Sequence, residues 1–163
     1  MMPDVGRFQC GVAALIYHPP TQTYLLLQRA RKLEYGYGQW ECVTGRVNQG
    51  ESFETALHRE VLEEIGVRVQ VDFIIGTTRF YRGDPTPDNE LLGVKYACTI
   101  DDRDAITISE EHSAIRWLTA SQVSELLPAD HWLTRTIERA ELMRNALPPA
   151  LIEHFRATGF ETD

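Results

Sequence analysis

Apolar residues recur along this chain in two rhythms. Phe8–Tyr17 (FQCGVAALIY) and Tyr24–Arg29 (YLLLQR) are β-rich runs, and the HPPTQT between them is turn chemistry, which predicts a hairpin. Glu51–Ile65 repeats its apolar positions at helical spacing, with Ser52 placed as N-cap and Gly66 as stop. Lys32–Trp40 (KLEYGYGQW) reads as a loop rich in Gly and aromatics. Val67–Ile75, Thr77–Arg82 and Glu90–Ile100 read as strands, with residues 83–89 (GDPTPDN) as a loop. A short strand over Ala114–Leu118 precedes a helix, Ser121–Leu127, ended by Pro128. An amphipathic helix over Leu133–Ala146 and a short one after Pro148-Pro149 complete the chain, placing the C-terminal helices at about 133–158. Several strands are neighbours in sequence while others are separated by helices. This predicts an α+β (mixed α/β) fold with a mixed sheet, in three layers at most.

Composition limits the function. The 163 residues, 43% of them apolar, suit one domain, and no repeat or low-complexity segment invites a cut, so residues 1–163 are expected to form a single domain. Sixteen basic side chains against 24 acidic ones give a net charge of −8. Such a surface is poorly matched to phosphate backbones or anionic lipid, so neither a stable nucleic-acid partner nor a membrane is expected. No apolar run reaches the ~20 residues needed to span a bilayer, and the start, MMPDVGRFQC, lacks the pattern of a secretory signal. Cys10, Cys42 and Cys98 are odd in number and form no CxxC pair, which predicts reduced core thiols and a cytoplasmic setting.

The chemistry concentrates in GRVNQGESFETALHREVLEEIGV, residues 45–67. On a helix, Glu60, Glu63 and Glu64 share one face, while Val61, Leu62 and Ile65 are expected to bury on the other. Like charges at i,i+4 repel, so the cluster calls for a positive partner, and hard oxygen donors select Mg²⁺, Mn²⁺ or Ca²⁺. An arbitrary acidic helix is usually a solvated face. Here the spacing G-x5-E-x7-R-E-U-x-E-E-x-G-U (U aliphatic) is met at all nine positions by Gly45, Glu51, Arg59, Glu60, Val61, Glu63, Glu64, Gly66 and Val67. Its seven fixed identities arise by chance in about one in a million chains of this length.

This segment resembles the signature of the Nudix hydrolases. The resemblance implies an α/β/α sandwich with the signature as loop-helix-loop, and metal-dependent water attack at phosphorus on nucleoside diphosphate derivatives. It implies Glu60, Glu63 and Glu64 as metal ligands for Mg²⁺, with Mn²⁺ able to substitute, and the position of Glu60 or Glu64 serves as base in some members. Arg59 would orient them by pairing with Glu51, and the Thr44 carbonyl would be a further ligand. Thr44-Gly45 stands where many members have Gly-Gly. A further glutamate outside the signature serves several members as base or ligand. Glu110 and Glu111 are the candidates, with Glu111 favoured because Glu111, His112, Ala114, Trp117 and Leu118 resemble a pattern of bacterial triphosphate-cleaving members.

Trp40–Glu51 (WECVTGRVNQGE) resembles the corresponding stretch of dihydroneopterin triphosphate pyrophosphatases, which also handle purine nucleoside triphosphates. Gln49, where an acidic residue is common, and a longer loop before Trp40 are departures. The resemblance thus implies cleavage of a nucleoside or pterin triphosphate to monophosphate and pyrophosphate. Hydrolysis of ADP-ribose, nucleotide sugars or dinucleotides is the alternative, and a non-catalytic ligand-binding module is a third reading. Arg29, Arg31, Arg46, Arg79, Tyr81 and Lys95 are candidate contacts to phosphate or base, and Tyr35, Tyr37 and Trp40 a candidate stacking wall. His58 is expected to pack against the core, and His112 to be structural or to assist the site. Leu133, Ile137, Ala140 and Leu142 suit either a homodimer interface or a cover for the chain's own sheet.

Overall fold

The apolar runs are strands buried on both faces. A computed structural model describes residues 5–30 and 36–163. In it β1 (Gln9–His18) turns Val12, Ala14 and Ile16 to one core and Ala13, Leu15 and Tyr17 to another. β2 (Thr23–Arg29) divides Leu25 and Leu27 from Tyr24 and Leu26 in the same way. Because both faces are covered, these strands lack the apolar-polar alternation of a half-exposed sheet.

Five further strands are β3 (Trp40–Glu41), β4 (Val43–Arg46), β5 (Gln70–Tyr81), β6 (Glu90–Thr99) and β7 (His112–Leu118). They join in the order β3-β2-β1-β6-β5, with β4 paired to β1 and β7 to β2. β1 and β6 run parallel and the other pairings are antiparallel, so the sheet is mixed, as the interleaving of elements implies. α1 (Phe53–Ile65) covers one face with Ala56, Leu57, Val61 and Ile65. α2 (Ala120–Leu126) and α3 (Trp132–Ala146) cover the other with Val123, Leu133, Ile137 and Ala140, and α4 (Pro149–Thr158) packs against β5. The apolar stripe of α3 thus serves the chain's own sheet, while Leu142 faces outward. Among the described residues, no helix is long and apolar enough to cross a membrane.

Several sequence expectations change. The two strands expected over 67–82 are one, β5, kept in register by bulges between Val71 and Phe73 and between Ile74 and Gly76. β3 and β4 are too short to leave a periodic trace. Leu62 is 51% exposed rather than packed, and His58 is exposed as well, because the buried stripe of α1 runs through Leu57, Val61, Glu64 and Ile65. Cys42 and Cys98 are core thiols, and burial pushes Cys42 up to about 12, but Cys10 is exposed. Arg31 and Tyr35, with most of the loop expected over 32–40, lie outside the described residues.

Asp72, 0% exposed, fastens the C-terminal helices to one end of the sheet. It accepts from Arg156 Nε at 2.8 Å, Arg144 Nη1 at 3.1 Å and the Thr99 hydroxyl at 3.2 Å. The Arg144 guanidinium lies 4.2 Å from the ring centre of Tyr17. Removing one member of a buried ionic group strands the rest without water or partner. Asp72→Ala should therefore lower stability by about 3–5 kcal/mol in urea unfolding. A loss below about 1 kcal/mol would mean the two guanidiniums rehydrate freely.

Candidate active site

α1 begins where the Ser52 side chain accepts from the Thr55 amide, and ends at Gly66, whose φ of 71° needs glycine and whose amide closes on the Leu62 carbonyl. Anchored by its apolar stripe, the helix presents Arg59, Glu60 and Glu63 beside the loop that follows β4. Arg59 organises this corner. Its Nε and Nη2 hold the two oxygens of Glu51 at 2.6 and 2.8 Å, and Nη1 reaches Glu60 at 2.8 Å and Glu63 at 3.2 Å. Nη2 also donates to the Arg46 carbonyl at 2.9 Å, which ties the loop to the helix. The Asn48 amide gives Glu51 a further donor, and these bonds hold the Glu51 carboxyl down at about 2. The same carboxylates hold Arg59 protonated.

Gly45 is required by this packing. A Cβ there would stand 1.9 Å from the Glu60 carboxyl carbon, inside van der Waals contact. Only a bare backbone lets Glu60 lie over β4 while bonded to Arg59.

Glu64 departs from expectation. It shares a helical face with Glu60, yet it is 5% exposed and turned into the protein rather than displayed beside Glu63. Burial raises its pKa to about 9, helped by the nearby charges of Glu41, Glu60 and Glu111 and opposed by a bond to the Thr44 backbone. Its Oε2 is buried with no hydrogen-bond partner. Glu41, in β3, is a site residue that sequence reasoning missed. It is buried, bonded to Arg29 Nη1 through both oxygens at 3.0 Å, and lies 3.1 Å from His112 Nε2. His112 Nε2 is also 3.7 Å from Glu64 Oε2, so the histidine sits between two acids. The only sequence signal for Glu41 is its position between Trp40 and the signature. Glu111 is exposed, and its segment is docked on the end of α1 by the Ser109 amide donating to the Glu64 carbonyl at 2.9 Å.

A cleft of about 1350 Å³ opens beside this cluster, though Arg59, Glu63, Glu64 and His112 are not among its lining residues. Thr44, Glu51, Glu60 and Glu111 line it, as do Arg29, Trp40, Arg46, Arg79, Tyr81 and Lys95. Not all of the cations face it unengaged. Arg29 is paired with Glu41, and Arg79 donates to Glu90 at 2.5 Å and to the Tyr81 hydroxyl at 3.1 Å. Tyr37 is exposed and does not line the cleft. Among the described residues, no three His, Cys, Asp or Glu side chains already converge as a coordination shell, since Glu60 and Glu63 are turned to Arg59. The donor chemistry nevertheless fits a hard divalent cation: every candidate ligand is an oxygen, and the buried, unpartnered Glu64 Oε2 is a donor whose burial only a cation or a proton compensates.

Comparison with known proteins agrees with this geometry. The family model described as NUDIX domain matches residues 7–140. A Myxococcus xanthus protein named octanoyltransferase is 30% identical over 116 residues, which cover 71% of this chain and 32% of that protein. Nucleoside triphosphatase NudI of an Enterobacter species is 28% identical over 110 residues, 63% of this chain and 77% of the relative. The chain therefore spans about a third of the first relative and about three quarters of the second. The solved structure of Escherichia coli dihydroneopterin triphosphate pyrophosphohydrolase superposes with a TM-score of 0.67 at 23% identity, covering 85% of this chain and 99% of the other, a likeness of fold.

The raised pKa of Glu64 has a measurable sign. Its folded value, about 9, lies above the unfolded value near 4.5. Stability from the neutral carboxyl is fully present below pH 4.5 and is lost as pH rises towards 9. In chelator-treated protein, Glu64→Gln should melt with the parent at pH 4 and above it at pH 8–9, by a few degrees. Equal melting at both ends would show that Glu64 ionises normally in the fold.

Proposed function

This chain belongs to the NUDIX domain family, and from that premise we propose that it is a metal-dependent pyrophosphohydrolase cleaving a nucleoside or pterin triphosphate to a monophosphate and pyrophosphate. One observation carries the reading: Arg59 gathers Glu51, Glu60 and Glu63 beside the unpartnered Glu64 Oε2, at the edge of a large cleft. In the proposal Glu60, Glu63, Glu64 and the Thr44 carbonyl hold the cation, Mg²⁺ by the hardness of the donors and Mn²⁺ as substitute. When bound, the ion neutralises phosphate oxygens and acidifies a coordinated water.

The chain's own groups do the remainder. Arg59 fixes the carboxylates laterally, so the repulsion of three like charges is met by one guanidinium rather than by bulk water. Gly45 gives Glu60 its place. Arg29 and His112 hold Glu41, keeping a second acid close to Glu64. Glu111, exposed at the cleft edge, is the group assigned to accept the proton of the attacking water; as the new P–O bond forms, the bond to the pyrophosphate oxygen breaks. Trp40, Arg46, Arg79 and Tyr81 are assigned to the substrate. The proposed setting is a single domain acting on a small molecule.

Purified protein with Mg²⁺, offered dATP, dGTP, dihydroneopterin triphosphate, ADP-ribose, UDP-glucose and a diadenosine polyphosphate, should yield monophosphate and pyrophosphate from the triphosphates. Arg59→Gln should weaken metal binding or activity roughly 10- to 100-fold, and Glu63→Gln should remove most turnover. Turnover confined to ADP-ribose, the sugar nucleotide or the dinucleotide would keep the mechanism and replace the substrate. Nucleotide binding without turnover on the whole panel would reduce the chain to a ligand-binding module.

A further inference from the structure

A second group of side chains lines the cleft away from α1, at the first turn of α3. Lys95 of β6 points from the sheet face that α3 covers. Its Nζ donates to the Thr136 hydroxyl at 3.1 Å and lies 4.9 Å from the centre of the Trp132 ring. Thr136 itself donates to the Trp132 carbonyl at 2.6 Å, so its oxygen is held as an acceptor for the ammonium. Trp132, Arg135 and Lys95 all line the cleft. Among the described residues neither Lys95 nor Arg135 has an ion-pair partner. Burial pulls the Lys95 pKa down, opposed by the nearby Cys42 and aided by the like charge of Arg135. A half-buried ammonium with one neutral acceptor retains donors to offer.

The register says what can reach it. Thr44 of β4 pairs with Ala13 of β1, and Ala13 with Lys95 of β6, so the three form one row across the sheet. Two strand spacings, roughly 10 Å, separate the Thr44 end of that row from Lys95. Gly76 and Ala13 flank the lysine in the row, so its lateral neighbours are short. Phosphates held by the α1 carboxylates lie at the Thr44 end of that row, and the rest of a nucleotide extends from there along the cleft that Lys95 lines.

We propose that Lys95, held in place by Trp132 and Thr136, is the base-selecting subsite, and that it favours an oxo-purine or oxo-pterin ring over adenine. The inference rests on the triphosphate reading above and narrows it. A lysine ammonium only donates. The guanine edge offers two acceptors, O6 and N7, and pterins carry the corresponding oxo group, whereas adenine puts an amino donor at position 6. Trp132 holds the ammonium over its ring and is stacked against His131, so it positions the lysine, and the selection falls to Lys95.

The test compares dGTP, dATP and the triphosphate of 2-aminopurine deoxyriboside, which lacks the 6-oxo group and the N1 proton of guanine but keeps its 2-amino group and N7. The unmodified protein should favour dGTP in kcat/KM over both others by roughly 10- to 100-fold, with the difference in KM. Lys95→Met should bring the three values together, and Lys95→Arg, which keeps the donor, should restore part of the preference. Equal use of dGTP and the 2-aminopurine analogue by the unmodified protein overturns the proposal without any variant. So does a Lys95→Met loss equal for all three, which would put Lys95 on the phosphates. If no triphosphate is turned over, the hydrolase reading fails, and calorimetry with α,β-imido dGTP and dATP still decides the subsite: tighter guanine binding erased in Lys95→Met supports it, and equal binding refutes it.

Discussion

Four glutamates crowded around one end of a helix repel one another, and a single guanidinium makes the arrangement tolerable. Arg59 bonds to Glu51, Glu60, Glu63 and the Arg46 carbonyl, so it sets the loop before α1, the face of α1 and the distance between them. Glu64 receives none of that compensation. Turned inward beside Glu41, it holds its own proton well above the usual carboxylate range, chiefly because it is buried. The cluster is therefore built in two tiers, one bridged by an arginine and one compensated by protonation or a cation. The conformation of the loop, the bare backbone at Gly45 and the position of β4 all follow from accommodating those tiers.

The sheet makes this possible by being covered on both sides. α1 rests on one face and α2 and α3 on the other, so the carboxylates and the Lys95–Trp132 corner approach the cleft from opposite layers. Asp72 works at the far end of α3, where Arg144 is fixed between the buried carboxylate and the Tyr17 ring. One helix is thus held by ionic bonds at its C-terminal end and offers Trp132 and Arg135 to the cleft at its other end.

Much of this was legible in the sequence, for identifiable reasons. α1 has a cap, a glycine stop and a long apolar stripe, and β1 and β2 are long apolar runs, so their existence and type were plain. The residues of the signature are close in sequence, so their helical placement followed from 100° per residue. What escaped depended on contacts distant in the chain. Glu64 is inward and Leu62 outward because the stripe is rotated by the sheet beneath it, which periodicity alone does not reveal. Glu41 meets His112 across 71 residues, and nothing local to either marks the pairing. The bulges in β5 hide as ordinary strand residues until the partner strand is known.

The separation of the two layers bears on how such a protein changes over generations. In the proposed mechanism bond cleavage rests on α1 and the β4 loop, where Arg59 ties Glu51, Glu60 and Glu63 together and a Cβ at Gly45 would displace the Glu60 carboxylate. The first turn of α3 packs in a different core from α1. A lineage can therefore rewrite positions such as Trp132, Arg135 and Thr136 to admit a new heterocycle without disturbing the carboxylates. Divergence in substrate with constancy in chemistry is then a property of a sheet buried on both faces, and selection has only to exploit it.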